Sequence, residues 1–271
     1  MPNAEIAVLF SGGTDSSLAT ALCASQFAKI HLLTFKRFGI SQSGNSAVKE
    51  QEFKAKYGPD KFTHHYFDIG PIFKHLSYEH YLRNVRKHGL FLLSTCGFCK
   101  LAMHVRAILF CLEHGVTNVA DGANRGMDLF PDQIRSVIAI FRDLYAEFGI
   151  AYQTPVFDIA PTPEKKFLNL EQERLLKIDS RPAPAEGATT GELLYRMGLA
   201  PSDNIKGSAY DRRRQAHCQQ LLLFLLFAKN YYLPRHSYAD YVSRLEGLFR
   251  EKCGAAREYI ESHRPAEGLN P

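Results

Sequence analysis

Three short stretches of this chain combine residue types and spacings that can do chemistry. The first is VLFSGGTDSSLATAL, residues 8–22, where an apolar run breaks at Gly12-Gly13 and a helical pattern follows at once. The two glycines leave backbone N–H groups uncovered. Ser11, Thr14, Ser16 and Ser17 add hydroxyls, and the helix that follows points its positive end at whatever lies there. Together these features form an anion cradle. A Walker-type phosphate loop would need a lysine, and a dinucleotide loop a third glycine; this loop has neither. Asp15 in such a cradle makes sense if it caps the helix or helps to hold Mg2+ beside phosphates. The second stretch is CGFCK, residues 96–100, a C-x-x-C pair at a predicted helix N-terminus. That setting lowers a thiol pKa and suits either a metal ligand or a nucleophile. The third is ADGANRGMD, residues 120–128. There Gly122 lets a ligand approach, Asn124 and Asp128 can bind ribose, Mg2+ or substrate, and Arg125 can meet a phosphate or an acyl substrate.

The elements that must position these residues follow from periodicity. Buried strands are predicted over residues 4–10, 29–35, 61–68, 117–121 and 151–157, with helices over 15–28, 45–57, 98–114 and 132–148. This alternation predicts an α/β fold: a doubly wound, Rossmann-like parallel sheet of five strands with a helical C-terminal extension. About fifty residues separate the third and fourth strands, more than one crossover needs, so an additional helix is expected over 72–88. Chain direction then places the cysteines. A helix feeding the fourth strand starts at the C-terminal edge of the sheet, so Cys96 and Cys99 belong at the edge that carries residues 11–15, where such folds bind ligands. Beyond residue 158 the pattern turns polar and rich in proline and glycine, with short helices expected over 163–176 and 190–197. Long helices are expected over 212–231 and 238–262. The first of these would carry Cys218 on an amphipathic face, next to His217.

The 271 residues carry a formal net charge of +5, and no dense basic block beyond Arg212-Arg213-Arg214. This permits an anionic partner without demanding one. That arginine triplet reads as a solvated face or as an anion clamp. The start of the chain has no basic region before Ile6, and LLLFLLFA (221–228) is too short to span a bilayer, so a buried helix and a cytoplasmic location, with no membrane partner, are expected. The six cysteines then read as thiols, ligands or core residues and not as disulfides, with Cys23, Cys111 and Cys253 as packing residues. His64 and His65, adjacent in a strand, face opposite sides and read as structural. Lys165-Lys166 reads as an exposed pair or as a phosphate contact. The helical tail could cover the sheet or form a homo-oligomer interface.

SGGTDSS resembles the S-G-G-x-D-S signature of the PP-loop, or N-type, ATP pyrophosphatases, a superfamily resembling the adenine nucleotide α-hydrolases. The resemblance implies a PP-loop ATP-binding domain over residues 1–160 and a mainly helical region over 161–271. It implies that Ser11, Gly12, Gly13, Thr14, Asp15, Ser16 and Ser17 grip the pyrophosphate of ATP, with Asp15 toward Mg2+. Adenine would lie against Thr34 and Phe35 at the end of the second strand, with Gly122 and Asn124 also on the nucleotide. Residues 96–128 further resemble the C-x-x-C-K…A-D-G-x-N block of ATP-dependent sacrificial sulfur transferases, matching at Cys96, Cys99, Lys100, Asp121, Gly122, Asn124 and Asp128. Residues 178–203 are loosely similar to the stretch around that family's sulfur-donor cysteine, but no cysteine lies between Cys111 and Cys218. The layout of Cys96, Cys99 and Cys218 is instead similar to that of tRNA thiolases, in which three cysteines hold an iron–sulfur cluster with one open iron. Zinc is the other metal for such a pair, completed by His104, His217 or another cysteine. The expectation is an enzyme that uses ATP and Mg2+ to adenylate a small-molecule or tRNA substrate and then transfers sulfur from a donor. Asp15, Cys96 and Cys99 would be its catalytic residues, and Cys96, Cys99 and Cys218 would hold a 4Fe-4S cluster or Zn2+. An amide-forming synthetase with a structural zinc and a non-catalytic nucleotide sensor are the alternatives.

Overall fold

The computed structural model describes residues 4–157 apart from residue 80, then 159, 189–203, 205 and 208–264. The predicted helix over 163–176 and the Lys165-Lys166 pair lie outside the described residues.

Strand β1 (Glu5–Leu9) is the middle of the sheet. Ile6 and Val8 point to one face and Ala7 and Leu9 to the other, and all four are buried, as in a parallel strand covered on both sides. Beside it lie β2 (Lys29–Lys36) and, on the other flank, β5 (Asn118–Ala120). The edges are β4 (Phe62–Asp68) and β6 (Ala151–Gln153). The order is β4-β2-β1-β5-β6, and every pairing is parallel. The doubly wound sheet expected from the sequence is therefore present. Its last two strands are shorter than predicted.

Helices α1 (Thr14–Ala24), α2 (Ser46–Tyr57) and α7 (Thr190–Arg196) cover one face, packing Leu18, Phe53 and Leu194 on Ile6, Val8 and Leu32. The opposite face is covered by α3 (Gly70–Ser77), α5 (Thr95–His114), α6 (Arg135–Glu147) and α10 (Tyr238–Ser262). The additional helix predicted over 72–88 is two helices, α3 and α4 (Tyr81–His88). Leu245, Leu248 and Phe249 of α10 join the same apolar cluster as Val105 and Phe141, so the C-terminal helix shares the core of the sheet. Among the described residues no helix is long and apolar enough to cross a membrane.

The continuous helix expected over 212–231 is not formed. A four-residue helix α8 (Ala209–Arg212) is followed by the short strand β7 (His217–Cys218), then α9 (Gln220–Leu225), which widens into a π-helix over Leu226–Tyr232. The reason lies in residues 212–219, RRRQAHCQ, which offer no apolar stripe for a helix to bury. Their backbone instead pairs antiparallel with β3 (Ile40–Ser41), Cys218 opposite Ile40. LLLFLLFA is only partly the buried segment expected: Phe224, Leu225 and Phe227 are buried, whereas Leu222, Leu223 and Leu226 are exposed.

Candidate functional site

The SGGTDS loop leaves β1 at the C-terminal edge of the sheet. Gly12 adopts φ +79°, a conformation that L side chains rarely adopt, and Gly13 forms the N-cap of α1 with no side-chain cap. The first-turn N–H groups of α1 thus remain directed at the loop, as an anion site requires. The hydroxyls divide the work. Ser16 Oγ donates to the Gly13 carbonyl at 3.1 Å and Ser17 Oγ to the Gly12 carbonyl at 3.4 Å, which braces the turn from below. Ser11, the exposed member, accepts from the Gly13 N–H at 3.3 Å. Asp15 does not cap the helix: its Oδ1 accepts from Asn124 Nδ2 at 3.1 Å, tying the loop to the segment that follows β5.

Gly122 is needed, though for a partner the sequence did not suggest. A Cβ there would lie 2.5 Å from the Ser16 nitrogen and 2.6 Å from the Asp15 carbonyl carbon. What approaches Gly122 is the first turn of α1 itself. Thr34 and Phe35 also separate. Thr34 Oγ1 lies 2.6 Å from the Phe10 carbonyl and 2.8 Å from His64 Nε2, so it knits the loop strand to its neighbours. Phe35 is buried in the core on the opposite face.

Cys96 and Cys99 lie in the first turns of α5, at the loop's edge of the sheet, as chain direction predicts. Gly97 makes the turn fit, because a Cβ on it would lie 2.3 Å from the Phe249 ring. Cys218, on β7 and not on a helix, faces the same place: its charge raises the pKa of both Cys96 and Cys99. The lowered thiol pKa expected at the helix N-terminus is not found. Burial pushes the Cys99 thiol up, and the charge of Arg37 offsets this only in part. Burial likewise raises Cys96, and Asp132 adds to it.

Arg37 is a functional residue that sequence reasoning missed. It is buried, with its Nε donating to Cys99 Sγ at 3.0 Å and its guanidinium 4.2 Å from the centre of the Phe73 ring. Among the described residues no carboxylate forms an ion pair with it. Its other donors go to the Phe38 carbonyl and to Gln220 Oε1, both neutral, so the thiols are the groups beside it that could supply an anionic partner on losing their protons. Soft thiol donors beside a guanidinium suit an anionic metal–thiolate centre held by Cys96, Cys99 and Cys218. Among the described residues, however, no three cysteine, histidine or carboxylate side chains stand close enough together to hold a metal ion as placed. His104 and His217 supply no fourth ligand. His104 Nδ1 pairs with Tyr145 Oη at 3.0 Å, and His217 Nε2 contacts the Arg212 carbonyl at 2.9 Å.

A buried polar network centres on Asp121, at the end of β5. Lys100 Nζ meets Asp121 Oδ2 at 2.9 Å, Tyr152 Oη donates to the same oxygen at 2.8 Å, and the Ala123 N–H binds Asp121 Oδ1 at 2.9 Å. Burial would raise Asp121 and lower Lys100, but each holds the other charged: Asp121 stays below its ordinary value and Lys100 above its own. His104 is pushed down to about 3 by burial and by Lys100, so it is neutral, and its Nε2 has no hydrogen-bond partner. A second path starts at Asp15 and Asn124. The Asn124 N–H donates to Gln133 Oε1 at 2.7 Å, and Gln133 Nε2 donates to Asp132, the carboxylate whose charge acts on both cysteines. Burial raises the Asp132 carboxyl. Cys96 packs against the apolar cluster of Phe130, Phe224, Leu225 and Ala228, and Phe130 also lines a cavity of about 390 Å³ with Met127, Asp128, Leu129, Lys229 and Tyr238.

Neither a protein-family model nor a curated protein matches this chain. Among solved structures it is similar to a predicted subunit of tRNA methyltransferase from Methanocaldococcus jannaschii, at 17% identity and a TM-score of 0.38, over 79% of this chain and 96% of that one. It is also similar to the U34-tRNA thiolase NcsA from Methanococcus maripaludis, solved with its 4Fe-4S cluster, at 14% identity and a TM-score of 0.42, over 93% of this chain and 73% of that one. Likeness at this level leaves the chemistry to be read from the residues themselves.

Proposed function

We propose that the chain is an ATP-dependent adenylating enzyme of the PP-loop type, which converts ATP to AMP and pyrophosphate and passes sulfur to the activated acceptor at a cysteine centre. One observation carries this reading. An uncapped helix N-terminus behind Ser11-Gly12-Gly13 shares a sheet edge with Cys96 and Cys99, and hydrogen bonds lead from Asp15 through Asn124 and Gln133 to Asp132, whose charge acts on both thiols.

The residues divide the reaction as follows. Loop N–H groups and Ser11 bind the pyrophosphate of ATP, and their fixed dipoles stabilise the charge it gains as it leaves. Asp15, with Asn124 beside it, offers the hard oxygen donors that suit Mg2+, which when bound neutralises the same phosphates. The adenosine would lie across the C-terminal ends of β2 and β5, where Thr34, Phe35 and Gly122 serve the packing beneath it and do not touch it. The acceptor's oxygen attacks the α-phosphorus, pyrophosphate leaves and an adenylate forms; sulfide-level sulfur from a separate donor then attacks the activated carbon, and AMP leaves with the acceptor's oxygen. Cys96, Cys99 and Cys218 would hold an iron–sulfur cluster or zinc only once Cys218 has moved toward the pair, since the three do not stand within reach of one ion as placed. When bound, a cluster supplies an iron with an open position for the incoming sulfur. Arg37 balances the thiolate charge. The cavity lined by Phe130, Asp128 and Lys229 would receive the acceptor, and its volume fits a small molecule or one nucleoside of a tRNA.

The test is to purify the protein without oxygen, measure iron, zinc and sulfide, and incubate it with ATP, Mg2+, inorganic sulfide as sulfur donor and candidate acceptors. AMP and pyrophosphate in equal amounts are expected, with bound iron and sulfide. ADP as the product, or ATP left intact with every acceptor class, would sink the reading. Pyrophosphate release from a colourless, zinc-loaded protein would turn it toward amide formation.

A further inference from the structure

The two glycines of the anion cradle are covered by the chain itself, although Ser11 is exposed. Arg214 and Gln215, within the segment 213–219, lie against them. A Cβ on Gly12 would lie 2.1 Å from the Arg214 carbonyl oxygen, and one on Gly13 would lie 2.9 Å from Gln215 Oε1. Two protein oxygens thus press on the two glycines that the loop offers to phosphate. The crossing segment is held by polar bonds. Arg214 Nε donates to Glu52 Oε1 at 3.0 Å, and its guanidinium lies 3.6 Å from the centre of the Tyr210 ring. Gln215 Nε2 donates to Asp211 Oδ2 at 3.2 Å. Further along, Cys218 pairs with Ile40, and the Gln219 N–H donates to the Gly39 carbonyl at 2.9 Å. None of residues 212–215 belongs to an apolar cluster, and bonds of this kind exchange with water at small net cost.

We propose that residues 213–219 are an exchangeable plug of the phosphate site, an inference that rests on the PP-loop reading above. The Arg214 carbonyl and the Gln215 carboxamide oxygen lie against Gly12 and Gly13, on the side from which they would crowd a pyrophosphate held by the loop. An incoming pyrophosphate group, free or as part of ATP, displaces them. Cys218 is on the same strap, three residues beyond Gln215, so the displacement moves one thiol of the cysteine centre. Occupancy of the nucleotide site and the geometry of Cys96, Cys99 and Cys218 are thereby coupled. Arg214 and Gln215 act as intramolecular competitors of the ligand and not as its clamp, which fixes the sign of their substitution.

The experiment measures binding of inorganic pyrophosphate with Mg2+ to the full chain and to Arg214→Ala and Gln215→Ala, together with amide exchange at residues 217–219. Each variant loses an anchor of the plug and is expected to bind about fivefold tighter. Pyrophosphate is expected to speed exchange of the Gln219 N–H, although ligands usually slow exchange by stabilising the fold. Weaker binding by Arg214→Ala, as for a phosphate clamp, or slower exchange at Gln219 would overturn the proposal. If the chain releases pyrophosphate from ATP but the variants bind it no tighter, the plug alone is wrong. If none of the three proteins binds pyrophosphate, the nucleotide reading fails and the plug with it.

Discussion

Gly122→Ala tests whether the end of β5 holds α1 in place or only leaves room for a ligand. The new Cβ would lie 2.5 Å from the Ser16 nitrogen, 2.6 Å from the Asp15 carbonyl carbon and 2.8 Å from the Asp15 oxygen, all backbone atoms at the start of α1. Ordinary contact begins near 3.4 Å, so the first turn of α1 must retreat by about 0.9 Å. No side chain can rotate away to relieve this. Overpacking of this kind costs about 1–3 kcal/mol, which for a chain of this size lowers Tm by roughly 2–12 °C. The same retreat moves the N–H groups that face the phosphates, and a misplacement near 1 Å can cost about a hundredfold in rate. The control is Gly247→Ala in the middle of α10, where a Cβ meets nothing within 4 Å. There alanine is expected to stabilise by about 1 kcal/mol, because it favours the helix. Urea midpoints of the two variants should move in opposite directions, and pyrophosphate release from ATP should fall in Gly122→Ala alone. A Gly122→Ala protein as stable as wild type but weaker in ATP binding would refute the packing argument and restore the simpler view of an open approach.

Arg37→Met keeps an apolar stem beside Phe73 and removes the cation beside Cys99. Metal affinity after anaerobic purification should drop about ten- to hundredfold, as for other groups that support metal ligands; iron and zinc contents equal to wild type would show that the guanidinium plays no part in the thiol centre. The pH dependence of stability should report His65, whose Nε2 lies 3.2 Å from His31 Nδ1 and whose pKa is pushed down to about 4 by burial and by His31 and His114. Below its ordinary value of 6.5 the unfolded chain takes up a proton that the folded chain refuses, so this stability is complete above pH 6.5 and lost as pH falls toward 4. His65→Phe should flatten the fall in urea midpoint across that window, and an unchanged slope would assign it to other groups.

What was legible in the sequence was whatever buries apolar residues with a period. β1, α1 and the loop between them announce themselves by an apolar run, two glycines and Leu18. Chain direction alone carried Cys96 to the loop's edge. The rest depended on partners that a linear reading cannot supply. Residues 212–219 have no period, and their structure comes from a two-residue ladder with Ile40–Ser41, far away in the chain. Lys36-Arg37 reads like a solvated strand end, and only the packing of Phe73 and α9 around Arg37 makes it the counter-charge of a thiol. At Cys99 two physical effects compete. The helix N-terminus is visible in the sequence and burial is not, and burial wins.

Both halves of the site are set by backbone packed on the core. Gly122 brings the end of β5 against the start of α1, and Gly97 brings the start of α5 against Phe249 of α10. Each contact leaves no room for a single methyl group, so loop and cysteine pair are packed on the same core, and hydrogen bonds through Asn124 and Gln133 carry the loop as far as Asp132. Cys218 alone of the three cysteines belongs to a segment without such packing. It is exposed, on a two-residue strand, at the end of the strap that fills the cradle. If a metal centre forms on these three thiols, two of its ligands are preset and the third is delivered. Delivery by a strap that competes with phosphate would make the centre respond to the nucleotide, so metal retention measured with and without Mg2+–pyrophosphate should differ in wild type and converge in Arg214→Ala. Equal retention under all four conditions would mean that Cys218 reaches the centre independently of the loop, or not at all.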